Sequence, residues 1–388
     1  MINFLIIRSN NPINDNELNH YQSSIKNNTS LSEFSEFTWK NKNGTVAVII
    51  LTLKMELLDS FNFYSVDSNN NLKFFCGWMN EKYSDNLIKN AKELPEYNNL
   101  HNNFNGQYMF ATILNNGDGR IIRNDGSDIE IFNAKHNHID YLSNRSIVIG
   151  DLIYKNKFIY NDYFAAGIIG FGSTISQKDT LFENVYNIPF ASKIFISNQQ
   201  ILIEKPDGDW IMDQNLINLY HKNPRQYWDE CYDSLVNSCK SFNDIPGAYD
   251  NFSLPLSGGK DSRTLFAVLY SNNLINKCLT WGKPYSPDMM SASLITGLYN
   301  INHIYNEPFE SKKTIKSEPV LLNEFLYKHV FLTEGMMSPH DMIHSNKVKN
   351  QFSFHGHEFS LRNVYGNKII NNHDEAYQWF LSYHYDFD

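Results

Sequence analysis

Cysteine is scarce in this chain, and basic residues never run together. Four cysteines are spread over 388 residues, at positions 76, 231, 239 and 278, and no two of them form a C-x-x-C pair. That spacing excludes a zinc-ribbon ligand set and a disulfide framework. Buried, reduced thiols are the expectation. The 33 Lys and Arg are outnumbered by 42 Asp and Glu, for a formal net charge of −9. Phosphate backbones and anionic lipids are bound by clustered cations. Neither nucleic acid nor a membrane is therefore the expected partner, and a small molecule or a peptide is. No apolar run is long enough to span a bilayer, and "MINFLIIRSN" offers too short a stretch for a secretion signal. A cytoplasmic location is expected. No internal repeat is visible.

What the chain does have is apolar content sufficient for real cores, 42% hydrophobic and 14% aromatic, at a length that points to two domains. Its texture changes once. Up to about residue 205, short β-rich runs ("TVAVIILTL", "QYMFATIL", "KIFISNQQILIEK") alternate with turn signals such as "NNGDG", a pattern that predicts antiparallel sheet. From about 222 the runs lengthen into helix, strand, glycine turn and helix, the signature of βαβ units and a parallel sheet. The join is predicted within "EKPDGDW", where Pro206-Asp207-Gly208 is turn chemistry. The expected domains are 1–207 and 222–388.

One stretch carries chemistry. In "SLPLSGGKDSRTLFAVLY" (253–270), Phe252 to Leu256 reads as a buried strand and Thr264 to Tyr270 as a helix, with Ser257-Gly258-Gly259-Lys260-Asp261-Ser262 as the turn between them. Such turns bind phosphate. Glycines let the backbone approach an anion, the new helix offers unpaired N–H groups at a positive dipole end, and serine hydroxyls add donors. Asp261 cannot hold phosphate itself but can hold the magnesium that does.

Ser257-Gly258-Gly259-x-Asp261-Ser262 resembles the pyrophosphate loop of the N-type ATP pyrophosphatases, which cleave ATP between its α and β phosphates to adenylate a substrate. Two other segments are similar to one lineage of that group, the asparagine synthetases with the β-lactam synthetases and lasso peptide cyclases. "TWGKPYSPDMMSASLITGLYNINHIYN" (280–306) resembles the second βα unit, with Ser286, Pro287 and Asp288 opening a helix. "SFHGHEFSLRNVYG" (353–366) resembles the second nucleotide loop, with Ser353, Gly356 and Glu358 matching, Phe354 in place of a glycine and Glu358 in place of an aspartate. The N-terminal segments 102–132 and 167–197 look like parts of the glutamine amidotransferase domain of the same lineage.

The resemblance implies a fold, a site and a reaction. The fold would be an antiparallel β-sandwich of the Ntn-hydrolase kind followed by an α/β ATP pyrophosphatase domain. Ser257, Gly258, Gly259 and Ser262 would hold pyrophosphate, Asp261 and Glu358 magnesium, and Leu256 with Leu279, Thr280 and Trp281 the adenosine. Phe354, His355 and Gly356 would complete the nucleotide loop. Lys260 and Arg263 would offset pyrophosphate charge as catalytic cations, or stand as solvated helix-start residues. The implied activity is an AMP-forming carbon–nitrogen ligase using ATP and Mg2+. A carboxylate would be adenylated and then joined to an amine, in a small molecule or a precursor peptide.

Departures from the pattern leave other readings open. Working glutaminases of the lineage use an N-terminal cysteine, whereas this chain reads Met1-Ile2-Asn3, so glutaminase activity is expected to be absent. Cys76, within "LKFFCGWM", reads as a buried structural thiol. The lineage normally adds helices past the second loop, whereas this sequence stops at Asp388, which leaves a trimmed active form, a chain completed by a partner subunit, or a degenerate binding protein as the expected alternatives. The alternatives are a non-catalytic nucleotide-binding scaffold, or an amidotransferase fed with ammonia by another protein. His340 and His344, one helical turn apart, lack an evident third metal ligand. Met336-Met337 after Glu334-Gly335 reads as core or acceptor pocket.

Overall fold

The computed structural model describes residues 2–29, 31, 33–81, 85–95, 104–124, 129–155, 157–171, 178–190, 192–204, 214–245, 247–306 and 352–353. The first part of the chain runs β1 (Ile2–Ser9), α1 (Asp15–Asn27), β2 (Phe34–Lys40), β3 (Val46–Leu53), β4 (Tyr64–Val66), β5 (Leu72–Glu81), β6 (Phe104–Ile113), β7 (Gly119–Arg123), β8 (Phe132–His136) and β9 (Ile139–Ser143). It continues through α2 (Ser146–Tyr154), α3 (Asp162–Phe171), β10 (Tyr186–Asn187), β11 (Lys193–Ile196) and β12 (Ile201–Glu204). Two six-stranded sheets result, in the orders β10-β8-β9-β1-β3-β2 and β12-β11-β7-β6-β5-β4. Every strand pair in both is antiparallel.

The sheets pack face to face. Phe4, Ile6, Val48 and Ile50 from the first meet Phe74, Phe110, Ile121 and Ile194 from the second in one core, and the rings of Phe4 and Phe74 stand 5.5 Å apart across it. The opposite face of β1 and β3, carrying Leu5, Ile7, Ile49 and Leu51, is covered by α1 and α2 through Tyr21, Ile25, Ile147 and Val148. Burial on both faces is why these two strands read as unbroken apolar runs instead of alternating ones. Each of these side chains contributes roughly 1.5–3 kcal/mol of transfer free energy.

The second part runs α4 (Gln214–Lys222), α5 (Pro224–Lys240), α6 (Ala248–Asn251), β13 (Phe252–Pro255), α7 (Lys260–Ser271), β14 (Lys277–Trp281), α8 (Pro287–Tyr299), β15 (Asn302–Asn306) and β16 (Phe352–Ser353). Among the described residues its four strands are parallel, in the order β15-β14-β13-β16. The described residues thus form a mixed α/β molecule with two antiparallel sheets and one parallel sheet. The segment around Pro206-Asp207-Gly208 lies outside the described residues. Helices α7 and α8 lie side by side, with Phe266 and Tyr270 against Tyr299. Leu254, Leu256, Phe266, Leu269, Cys278 and Ala292 form the core beneath them.

The two parts meet along a row of rings. Trp78 of β5 packs edge-on against Phe242 at 4.8 Å, and Phe242 packs edge-on against Phe252 at 5.4 Å. Lys89 Nζ donates to the Asp244 carbonyl at 2.9 Å beside them. Among the described residues no helix is long and apolar enough to cross a membrane.

Cys76, Cys239 and Cys278 are buried and Cys231 is exposed, so the expectation of four buried thiols fails at Cys231, on the solvent side of the amphipathic α5. Burial pushes the Cys76 thiol up, Cys239 up to about 11 and Cys278 up to about 12, which holds them as unreactive thiols at neutral pH. An alkylating reagent at pH 7.5 is therefore expected to modify one thiol per folded chain, at Cys231, and four after unfolding. Rapid labelling of Cys76 in the folded chain would contradict this assignment.

Candidate functional site

The order β15-β14-β13-β16 contains a reversal. From β13 the chain moves outward through β14 to β15, and then β16 returns to the other side of β13. In open parallel sheets, ligands bind at the carboxyl ends of the strands flanking such a reversal. The Ser-Gly-Gly turn follows β13 at that place, and Ser353, paired with Ser253, ends the neighbouring strand. Phe354, His355, Gly356 and Glu358 come next in sequence and lie outside the described residues, as do His340, His344, Met336 and Met337.

The turn is shorter than the sequence predicts. Helix α7 begins at Lys260, with Gly259 as N-cap at φ −67° and ψ 152° and no side-chain capping bond. Lys260, Asp261 and Ser262 therefore occupy the first helical turn, where Asp261 suits the positive end of the macrodipole. A glycine N-cap leaves the first amides of the helix without the oxygen that Ser, Asp or Asn would supply there.

Both backbone groups of Leu256 are tied to β14. Its N–H donates to the Leu279 carbonyl at 2.8 Å, and its carbonyl accepts from Thr280 Oγ1 at 2.8 Å. Leu256, Leu279 and Thr280 are buried, so of the four residues expected around adenosine, Trp281 alone presents an exposed side chain, 52% accessible. The strand end is set by packing and hydrogen bonds, and the indole stands free at its rim.

Within the turn each amide has an acceptor. Ser257 N–H donates to Ser262 Oγ at 3.2 Å, Gly258 N–H to Asp288 Oδ1 at 2.8 Å and Gly259 N–H to Ser257 Oγ at 3.1 Å. The two serine oxygens are 3.1 Å apart. A Cβ at Gly258 would stand 3.1 Å from Asp288 Oδ1 and 3.2 Å from Ser291 Oγ, so glycine is what lets α8 approach this closely. Arg263 is exposed, and its Nε donates to the Gly259 carbonyl at 3.2 Å; its charge is therefore directed back at the turn. Lys260 is exposed at the first helical position.

Two residues that the sequence pattern does not assign to the site support it. Asp288 enters through the start of α8, where Ser286 caps by accepting from Met289 N–H at 3.3 Å and Pro287 follows as first helical residue. This is the local geometry expected from Ser-Pro-Asp, although its reach across to Gly258 is not legible there. His303, on β15, lies with Nε2 2.9 Å from Thr280 Oγ1. Because Thr280 gives its proton to the Leu256 carbonyl, the hydrogen-bond network assigns the proton on Nε2 to His303, with Nδ1 facing Ser293 Oγ at 3.5 Å.

Among the described residues, no group of three or more His, Cys, Asp or Glu side chains is placed to hold a metal ion. No family model and no curated protein matches the chain. Among solved structures it is similar to glutamine phosphoribosylpyrophosphate amidotransferase from B. subtilis complexed with ADP and GMP, at 7% identity and a TM-score of 0.33, over 52% of this chain and 49% of that one. A second, described as the allosteric regulatory enzyme of purine biosynthesis, matches at 7% identity and a TM-score of 0.31, over 52% of this chain and 48% of that one. The chain spans about half the length of these proteins. A likeness this distant bears on neither the site nor the reaction.

Burial lowers the His303 pKa, so protonation opposes the folded state. The stability His303 contributes is present above the ordinary value near 6.5 and is lost as pH falls through the depressed one. Melting temperatures of wild type and His303→Asn are expected to differ most at pH 7.5, with the gap narrowing as the pH is lowered below about 6.5. A gap independent of pH would show that His303 carries no titration-linked stability.

Proposed function

We propose that this protein binds MgATP at the β13–α7 turn and uses it to adenylate a carboxylate, which an amine then converts to an amide. One observation carries the reading. A Ser-Gly-Gly turn opens a helix whose N-terminus lacks a side-chain cap, and it does so beside the reversal point of a parallel sheet. The residue types fit a pyrophosphate group. Ser257 and Ser262 can rotate their hydroxyls from accepting to donating, Gly258 leaves the cradle that a Cβ would fill, and the start of α7 places its dipole behind the anion.

Asp261 stands in the first turn of α7, the position from which its carboxylate would hold magnesium together with phosphate oxygens, in the usual pattern of one or two carboxylates plus substrate. Magnesium bound there would neutralise charge on the departing pyrophosphate. Arg263, held by its Nε against the Gly259 carbonyl, and Lys260 add positive charge on the same side. Trp281, exposed at the end of β14, offers a flat apolar surface for a base. Glu358 with Phe354, His355 and Gly356 comes after β16 in sequence and would be the second acidic group and nucleotide loop of this reading. The substrate amine would be carried by a small molecule or a peptide.

A second reading has its own observation. The amides of Ser257, Gly258 and Gly259 already have acceptors within the chain, as in a turn kept for shape, which is what a non-catalytic nucleotide-binding homologue would retain.

Phosphorus NMR of the protein with ATP, magnesium and candidate carboxylate and amine substrates separates these readings. The ligase reading expects AMP and pyrophosphate, with the rate reduced on the order of a hundredfold by Asp261→Asn. ADP and orthophosphate as products would exclude it. ATP left intact beside every substrate, with binding retained, would select the non-catalytic reading.

A further inference from the structure

We propose that Asp288 makes the turn selective for a metal-bound anion, opposing free pyrophosphate and admitting its magnesium complex. The proposal rests on the nucleotide reading above and concerns how that site chooses between two forms of one ligand. The three amides of the turn are held by three different acceptors: Ser262 Oγ on Ser257, Asp288 Oδ1 on Gly258 and Ser257 Oγ on Gly259. Two of these are hydroxyls. A hydroxyl that accepts from an amide can turn and donate its proton to an incoming phosphate oxygen, so it changes from competitor to ligand without leaving. An ionised carboxylate has no proton to give. It must move away, or have its charge met by a cation that arrives with the phosphate.

Asp288 is held in that opposing position from both sides. Its own helix is started by the Ser286 cap and Pro287, which places the carboxylate in the first turn of α8, where the helix dipole favours negative charge. The Gly258 N–H, at 2.8 Å, adds a charge-assisted hydrogen bond at the turn itself. The close approach of α8 is built in, because the space beside Gly258 is bounded by Asp288 Oδ1 and Ser291 Oγ. The cations nearest in sequence, Lys260 and Arg263, are both exposed, and Arg263 is engaged with the Gly259 carbonyl. With Asp261 in the first turn of α7 and Asp288 in the first turn of α8, a free polyanion meets two carboxylates. The same anion carrying Mg2+ meets them as attractive groups.

The test uses the full-length protein and inorganic pyrophosphate as the probe. Calorimetry is run in EDTA and in magnesium for wild type, Asp288→Asn and Asp288→Ser, with circular dichroism to compare folds. Asn keeps an acceptor of the same shape without the charge, and Ser replaces the carboxylate with a shorter, neutral hydroxyl that can donate as well as accept. Both variants are expected to bind free pyrophosphate about tenfold more tightly than wild type, the scale of one unit-charge repulsion across a few ångströms of solvated site. The preference for the magnesium complex should shrink by at least the same factor. Free-pyrophosphate affinity that is unchanged or weaker in both variants, while wild type binds MgATP normally, overturns the role of Asp288 alone. Failure of wild type to bind pyrophosphate or MgATP under any condition overturns the nucleotide reading together with it.

Discussion

The whole site is launched from one fixed peptide unit. Leu256 is the last residue before the turn, and both its backbone groups are committed to β14, through the Leu279 carbonyl and the Thr280 hydroxyl. Its side chain is buried, at 1% accessible. A residue held at N–H, carbonyl and side chain has no freedom to pass on to its neighbours, so Ser257 and Gly258 leave the strand in a set direction. His303 extends the hold to β15 by donating to Thr280. The three adjacent parallel strands therefore act on the turn together.

From that fixed point, the rest of the geometry is a matter of approach. Helix α7 can begin at once because Gly259 adopts an extended N-cap conformation and the next three residues tolerate the first helical turn. Helix α8 can come close because Gly258 carries no side chain. Asp288 then joins the start of the second helix to the turn before the first. On the far side of the sheet's entry, Trp78 and Phe242 pin Phe252 against the antiparallel half. Strand β13 is thus anchored at its start by aromatic packing and at its end by Leu256.

Much of this is legible from local pattern. The change from short turn-punctuated β runs to longer βαβ runs follows from periodicity, and it corresponds to two antiparallel sheets followed by a parallel one. The turn at Ser257–Gly259 and the Ser-Pro-Asp helix start are local signatures, carried by glycine and by capping chemistry. Partners distant in sequence are not legible. Asp288 lies thirty residues from Gly258, and His303 lies on a strand whose pairing register no local motif announces. Helix α7 starts earlier than its apolar pattern indicates because Lys-Asp-Ser-Arg lacks apolar periodicity, although charged residues are at home in a first turn. Exposure of Cys231 is hidden for the opposite reason, since scarcity of cysteine says nothing about which face of α5 carries it.

The claim on which everything else rests is that phosphates sit on the β13–α7 turn. Amide hydrogen exchange of the full-length chain, read peptide by peptide with and without magnesium and a non-hydrolysable ATP analogue, tests it directly. Protection is expected over residues 257–263, where hydroxyls and helix-start amides would close on the anion, with a smaller effect around Asp288 as α8 adjusts. Saturating analogue that protects other segments and leaves 257–263 exchanging as before would contradict it.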